Sequence, residues 1–206
     1  MTRSHISGQG MPLYRNDVDT DQIIPARFCY HVKRTGHGDS LFGDWCQDPQ
    51  FVLNDPRYRR ATILVAGREF ATGSSREYAV WAVKDYGFNV VIAQSFGDIF
   101  YRNAIINDLL PLKTTADGVE ALWRNIEHDP AAIIDIDLDA DTITVAGYRQ
   151  PAIMEAHYKN KYIQNLDDIA QTLQHIERIR DYETKRYTRL ATTINTGVDN
   201  ETTNNW

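Results

Sequence analysis

Residues 61–93 read ATILVAGREFATGSSREYAVWAVKDYGFNVVIA. The first seven, ATILVAG (61–67), are an unbroken run rich in β-branched residues, the mark of a strand buried on both faces. SSREYAVWAVKDYG (74–87) repeats its apolar residues at helical spacing, and Gly87 is placed to stop it. NVVIA (89–93) is a second buried strand. Strand, helix and strand within so short a span predict a parallel pair joined by a helical crossover.

The alternation continues downstream. FGDIFYRNAIIND (96–108) has a helical pattern and is followed by the short apolar LLPL (109–112). DGVEALWRNIEHDP (117–130) is a third helix, ended by Pro130. AIIDIDLD (132–139) and DTITVAG (141–147) alternate like the arms of a hairpin. NLDDIAQTLQHIERIRDYETKRY (165–187) is expected to form one long amphipathic helix with Ile169, Leu173, Ile176 and Ile179 facing a core. Residues 13–60 are rich in Asp, Pro, Gly and Arg and predict short strands and long loops. Loops of that length tend to be functional. The expected organisation is a flexible lead-in over 1–12, one α/β domain over 13–187 and a disordered polar tail over 188–206.

Bulk properties narrow the class. The chain has 206 residues, enough for one domain with a substantial core. Its net charge of −6 argues against nucleic acid or an acidic membrane as a partner. Lys33-Arg34 is the one local basic pair singled out. No apolar run approaches the roughly 18 residues of a membrane span. The two cysteines, Cys29 and Cys46, form neither a Cys-x-x-Cys pair nor a disulfide framework. A reducing, cytoplasmic setting is expected.

GSSREY (73–78) has two interpretations. Ser74-x-x-Glu77 matches a capping box, in which the serine hydroxyl accepts from the Glu77 amide and the glutamate reaches back to Ser74. That leaves Ser75 and Arg76 without a task. The other interpretation uses the helix start as a seat for a carboxylate, with free amides, a positive dipole end and Arg76 as a bidentate clamp. A serine there could act on a bound acid. The two compete, because a hydroxyl held as a cap is not free to be a base.

DVDTDQIIPARF (17–28) begins like a calcium loop, then departs from it at Gln22 and Phe28. It reads as an Asp-rich turn before a short strand at Gln22–Ile24, or as a polar loop that orients a site. There is no Gly-x-Ser-x-Gly elbow, phosphate-binding loop, dinucleotide fingerprint or His-Glu-x-x-His. The six histidines are scattered and read as surface or packing residues, so no metal ligands are expected.

Five motifs stand in order: DVDTDQIIPARF, RTGHGDSLFGDW (34–45), FVLNDPRY (51–58), the run from Gly67 to Leu112, and NLDDIAQTL (165–173). Together they resemble the small-subunit family of 3-isopropylmalate dehydratase, the swivel domain of the aconitase superfamily. The resemblance spans roughly residues 12–185 and implies an α/β swivel fold, with a compact mixed, barrel-like sheet and flanking helices. It also implies a hydro-lyase of leucine biosynthesis. That enzyme interconverts 2- and 3-isopropylmalate through 2-isopropylmaleate, with a [4Fe-4S] cluster as Lewis acid. Such a cluster needs about three or four thiolates. Two distant cysteines cannot supply them, so the cluster is expected in a partner large subunit and the chain is half of an active site.

The resemblance further implies roles for single residues. Ser74 would be the base, and Arg76 would bind a substrate carboxylate with help from Gly73 and Ser75. Asp19, Thr20 and Asp21 would support the site, along with Glu77 and Tyr78. Lys33, Arg34 and Thr35 would sense the substrate side chain. Two departures stand out. Tyr78 replaces the usual histidine, and Phe70-Ala71-Thr72-Gly73 replaces Phe-Gly-x-Gly. The competing expectations are the same chemistry on another hydroxy acid (a homoaconitase or a methylmalate-type enzyme) and a non-catalytic regulatory module on the same fold.

Overall fold

The computed structural model describes residues 3–30, 33–74, 76–166 and 168–186. The tail expected over 188–206 lies outside them. The chain divides into two units, residues 1–167 and 168–206.

The first unit is built on a seven-stranded sheet that curls into a half-barrel, in the order β4-β3-β2-β1-β5-β6-β7. Strands β1 (His5–Pro12), β2 (Ala61–Val65), β3 (Val90–Ala93) and β4 (Leu110–Lys113) are mutually parallel. Strands β5 (Ile133–Asp137), β6 (Thr142–Val145) and β7 (Tyr148–Pro151) continue antiparallel from the other side of β1. The helices are α1 (Thr20–Ile23), α2 (Glu77–Tyr86), α3 (Asp98–Ile106), α4 (Ala116–His128) and α5 (Ala156–Gln164).

The two halves of the sheet follow different sequence rules. All four residues of β3 and four of the five of β2 are buried, as a parallel sheet covered on both faces requires. Buried and accessible residues alternate along β5 and β6, which pack on one face only. The ends of the sheet carry Pro111 in β4 and Pro151 in β7, where a missing N–H breaks no ladder. Helix α2 puts Ala79, Val80, Ala82 and Val83 into the core, and α4 adds Val119, Leu122 and Ile126. Phe42, Phe70 and Phe88 are fully buried, each stabilising the fold by roughly 1.5–3 kcal/mol relative to exposure.

Three expectations are corrected. Residues 5–12, assigned to a flexible lead-in, form β1 at the middle of the sheet. The stretch Ser7-Gly-Gln-Gly10 resembles a linker, yet a Cβ on Gly10 would stand 2.7 Å from both Ile126 and Ile134. Glycine there admits the close approach of α4 and β5. Gln22–Ile24 is not a strand; its first two residues close the one-turn helix α1. The helix expected over 165–187 is two helices: Asn165, in the left-handed region (φ 51°), ends α5, and α6 (Asp168–Leu173) and α7 (Ile176–Lys185) are separated by a turn at Gln174-His175.

In the second unit, α7 carries the pairs Arg180–Glu177 at 2.9 Å and Lys185–Asp181 at 2.6 Å. Ile169 and Leu173, expected in a core, are exposed. No helix among the described residues is long and apolar enough to cross a membrane.

Candidate active site

The carboxyl ends of β1, β2 and β3 continue as three irregular segments that keep pairing. The Asp17 amide donates to Arg68 O at 2.9 Å, Thr72 N to Val18 O at 3.1 Å, and Thr20 N to Thr72 O at 3.1 Å. On the other side Phe70 N donates to Ser95 O at 3.0 Å and Gly97 N to Phe70 O at 2.9 Å. Isolated bridges join Asp19 to Thr72 and Phe70 to Phe96. The parallel sheet therefore carries residues 69–74 beyond its edge. In open α/β sheets ligands bind outside the carboxyl ends of the strands.

The middle segment is bent by alternate residues in the left-handed region: Glu69 (φ 51°), Ala71 (φ 61°) and Gly73 (φ 80°). For the two non-glycine residues this costs roughly 1–2 kcal/mol each. Neighbouring bonds hold them there. Glu69 N donates to Ser95 Oγ at 2.8 Å, and the Ser95 hydroxyl donates to Glu69 Oε1 at 2.6 Å. Phe70 is buried edge-on against Phe96 and Phe100, with centroids 6.2 and 5.4 Å away. Strain kept in place by its surroundings is characteristic of functional loops.

Ser74 follows Gly73 and is exposed. The expected capping box between Ser74 and Glu77 is not formed. Helix α2 starts at Glu77, and its N-cap is Arg76, which makes no side-chain cap. Glu77 turns away, its Oε1 accepting from Asn107 Nδ2 at 2.8 Å. The Ser74 hydroxyl is therefore not spent on the helix.

The capping box lies instead at Asp19 and Gln22. Asp19 Oδ1 accepts from Gln22 N at 2.8 Å, and Gln22 Oε1 accepts from Asp19 N at 3.0 Å. The sequence carried this signal: an N-cap aspartate with glutamine three residues on. The box fixes α1, and α1 braces the site. The hydroxyl of buried Thr20 donates to the Ser74 carbonyl oxygen. The Arg76 guanidinium donates to the Asp21 carboxylate and forms an ion pair with it. A Cβ on Gly73 would stand 3.4 Å from Asp19 Cβ, so the two loops touch. Burial pushes the Cys29 thiol pKa up, opposed by the neighbouring Arg76 guanidinium.

The structure thus gathers Asp19, Thr20, Asp21, Gly73, Ser74 and Arg76 in one place. Ser75 lies outside the described residues. Lys33, Arg34 and Thr35 are exposed and precede buried His37, whose ring packs on Tyr78. Sequence reasoning did not single out His37, since nothing local marks it; its partners Tyr78, Trp81 and Asp85 lie more than 40 positions away.

Cys29 and Cys46, the chain's only cysteines, are both free thiols. Among the described residues the one group of three metal-capable side chains within reach of one another is His5, Asp137 and Asp139, at the amino end of β1 and away from Ser74. The donor set therefore does not fit an iron–sulfur cluster. What the site offers is an exposed hydroxyl on a strained, braced tip beside a fixed guanidinium, a set suited to an anionic substrate and to proton transfer.

Residues 4–117 match the Aconitase C-terminal domain, and residues 168–189 match the C-terminal domain of the 3-isopropylmalate dehydratase small subunit. The chain is 44% identical over 187 residues to the 3-isopropylmalate dehydratase small subunit of Kocuria rhizophila, covering 91% of this chain and 94% of that protein. It is 49% identical over 177 residues to the protein of the same name from Mycobacterium avium, covering 86% and 89%. The crystal structure of 3-isopropylmalate dehydratase (leuD) from Methanocaldococcus jannaschii superposes with a TM-score of 0.63 at 28% identity. That match covers 87% of this chain and 99% of the other.

Proposed function

The chain belongs to the family of 3-isopropylmalate dehydratase small subunits, and from that premise we propose that it forms one half of an active site completed by a large subunit. Its activity is that of a hydro-lyase component in leucine biosynthesis. The assembled enzyme interconverts 2-isopropylmalate and 3-isopropylmalate by loss and return of water through 2-isopropylmaleate. The supporting observation is the exposed Ser74 on its braced tip beside Arg76, in a chain with no ligand set for a cluster.

In this account Arg76 binds a substrate carboxylate, with help from Gly73 and Ser75. The Ser74 oxygen, as an alkoxide, takes the proton from carbon. The electron pair of that C–H bond forms the double bond as hydroxide leaves the neighbouring carbon. The return step delivers the Ser74 proton to one carbon and hydroxide to the other, in the opposite sense, and leaves the Ser74 oxygen as it began. Thr20 and Asp21 hold Ser74 and Arg76, Asp19 caps the helix that carries them, and Glu77 is tied to α3. Lys33, Arg34 and Thr35 face the substrate side chain. The [4Fe-4S] cluster belongs to the large subunit, the assembly is a heterodimer, and its setting is the cytoplasm.

Reconstitution tests this. The chain is mixed anaerobically with a cluster-loaded large subunit, and the ultraviolet absorbance of the unsaturated intermediate is followed with isopropylmalate, citrate, homocitrate and 2-methylmalate in turn. Turnover of isopropylmalate only when both chains are present supports the assignment. Preference for another acid moves the substrate, and a stable but inert complex favours the regulatory module.

A further inference from the structure

The segment 33–35 is fastened to α2 through His37. This residue is 1% exposed. Its Nε2 donates to the Lys33 carbonyl oxygen at 2.8 Å, and its backbone N–H donates to Asp85 Oδ2 at 2.9 Å. The ring meets Tyr78 edge-on, with centroids 5.1 Å apart at 85°, and lies 5.7 Å from Trp81 at 30°. Tyr78 and Trp81 also touch each other, at 4.8 Å.

The far side of this cluster is fixed as well. Trp81 Nε1 donates to Asn107 Oδ1 at 3.1 Å, and the same amide donates to Glu77 at 2.8 Å. The cluster is thus anchored on α2 and on the end of α3. A hydrogen bond alone would fix one atom of the segment. The ring contacts also fix the plane of the imidazole, and with it the direction in which Lys33 is held. Tyr78 is two residues beyond Arg76, so the ring that meets His37 stands in the first turn of the helix whose N-cap is Arg76.

We propose that His37, wedged against Tyr78 and Trp81, is the latch that sets where residues 33–35 stand relative to Ser74 and Arg76. His37 and Tyr78 are then positioning residues for discrimination among hydroxy-acid side chains. This rests on the function proposed above, in which residues 33–35 face that side chain. It gives the aromatic ring at position 78 a task, holding the His37 ring.

Two measurements test it, one independent of activity. Trypsin cuts after Lys33 and Arg34, so the rate of cutting there reports how firmly the segment is held. Tyr78→Leu is expected to raise that rate by about tenfold, with cleavage elsewhere unchanged, while Tyr78→Phe stays at the wild-type rate. His37→Gln, which keeps a donor and removes the ring, gives the same rise should Tyr78→Leu not fold.

In complex with the large subunit, the kcat/KM preference for 2-isopropylmalate over 2-methylmalate is expected to fall by about tenfold in Tyr78→Leu, mainly through KM, and to be restored in Tyr78→Phe. Wild-type cutting rates in both Tyr78→Leu and His37→Gln overturn the latch. An unchanged preference, or equal losses on both acids, overturns the specificity role. If the wild-type complex does not turn over isopropylmalate, the proposed function fails, and the trypsin comparison still decides the latch.

Discussion

The hydroxyl of Thr20, buried on α1, donates to the carbonyl oxygen of Ser74, 54 positions further along the chain. The bond ties the loop after β1 to the tip after β2 at the residue assigned the proton. Thr20→Val keeps the shape and removes the donor. Stability is expected to drop by about 1 kcal/mol, the cost of one lost hydrogen bond. The kcat of the reconstituted enzyme is expected to fall by about tenfold or more, since small misplacements of a reacting group are costly. Thr20→Ser should recover most of it. Steady-state kinetics beside denaturant unfolding checks both.

Arg76 is paired with Asp21 and keeps 28% of its side chain accessible. An accessible pair of this kind contributes about 0–1 kcal/mol to stability, so Arg76→Lys should leave the unfolding midpoint nearly unchanged. Lysine cannot reproduce the planar fork that grips a carboxylate. A charge-assisted bond is worth about 1.5–3 kcal/mol, so kcat/KM should fall by roughly 10–100-fold, measured with isopropylmalate. Wild-type kinetics in this variant would remove Arg76 from the binding site.

Ala71 is buried and held at φ 61°, where glycine is favoured. Ala71→Gly relieves roughly 1–2 kcal/mol of strain and loses about 0.4–1 kcal/mol through the freer unfolded chain. The net change should be a gain of between about 0 and about 1.6 kcal/mol. Ala71→Val adds a branched side chain at the same φ and should cost at least about 2 kcal/mol. Unfolding curves for the pair test whether this backbone conformation exists in solution.

Alkaline stability should depend on Tyr101. Burial, with help from Glu155, pushes its pKa up from 10.0 to about 12. The unfolded chain therefore releases this proton first. The contribution is complete below pH 10 and is lost as pH rises towards about 12. Tyr101→Phe removes the titration, so the fall in stability across that window should be shallower by up to about 2 kcal/mol. Denaturant titrations at pH 9 to 12, on both proteins, measure it.

Much of this arrangement was legible in the residues. β2 and β3 are uninterrupted apolar runs because both of their faces are covered, and β5 and β6 alternate because only one is. The motif residues Asp19, Thr20, Asp21, Ser74 and Arg76 do converge. What escaped depended on distant partners. β1 looks like a linker because Gly10 answers to side chains on α4 and β5, and Gly8 to Thr62 on β2. Glu77 fits a local capping box, but Asn107 on the neighbouring helix takes its carboxylate. His37 carries no local pattern, and its place is set by α2. The break at Gln174-His175 falls in a stretch whose apolar spacing runs on from Ile169 to Ile179.

The most direct test of the central claim is the turnover of isopropylmalate by the reconstituted enzyme carrying Ser74→Ala, with complex formation measured on the same sample. The account predicts an intact complex and a rate reduced by about 10²–10⁴-fold, the usual contribution of a general base. A loss of less than about tenfold in an intact complex would contradict it, and the proton would have to be taken by a group other than Ser74.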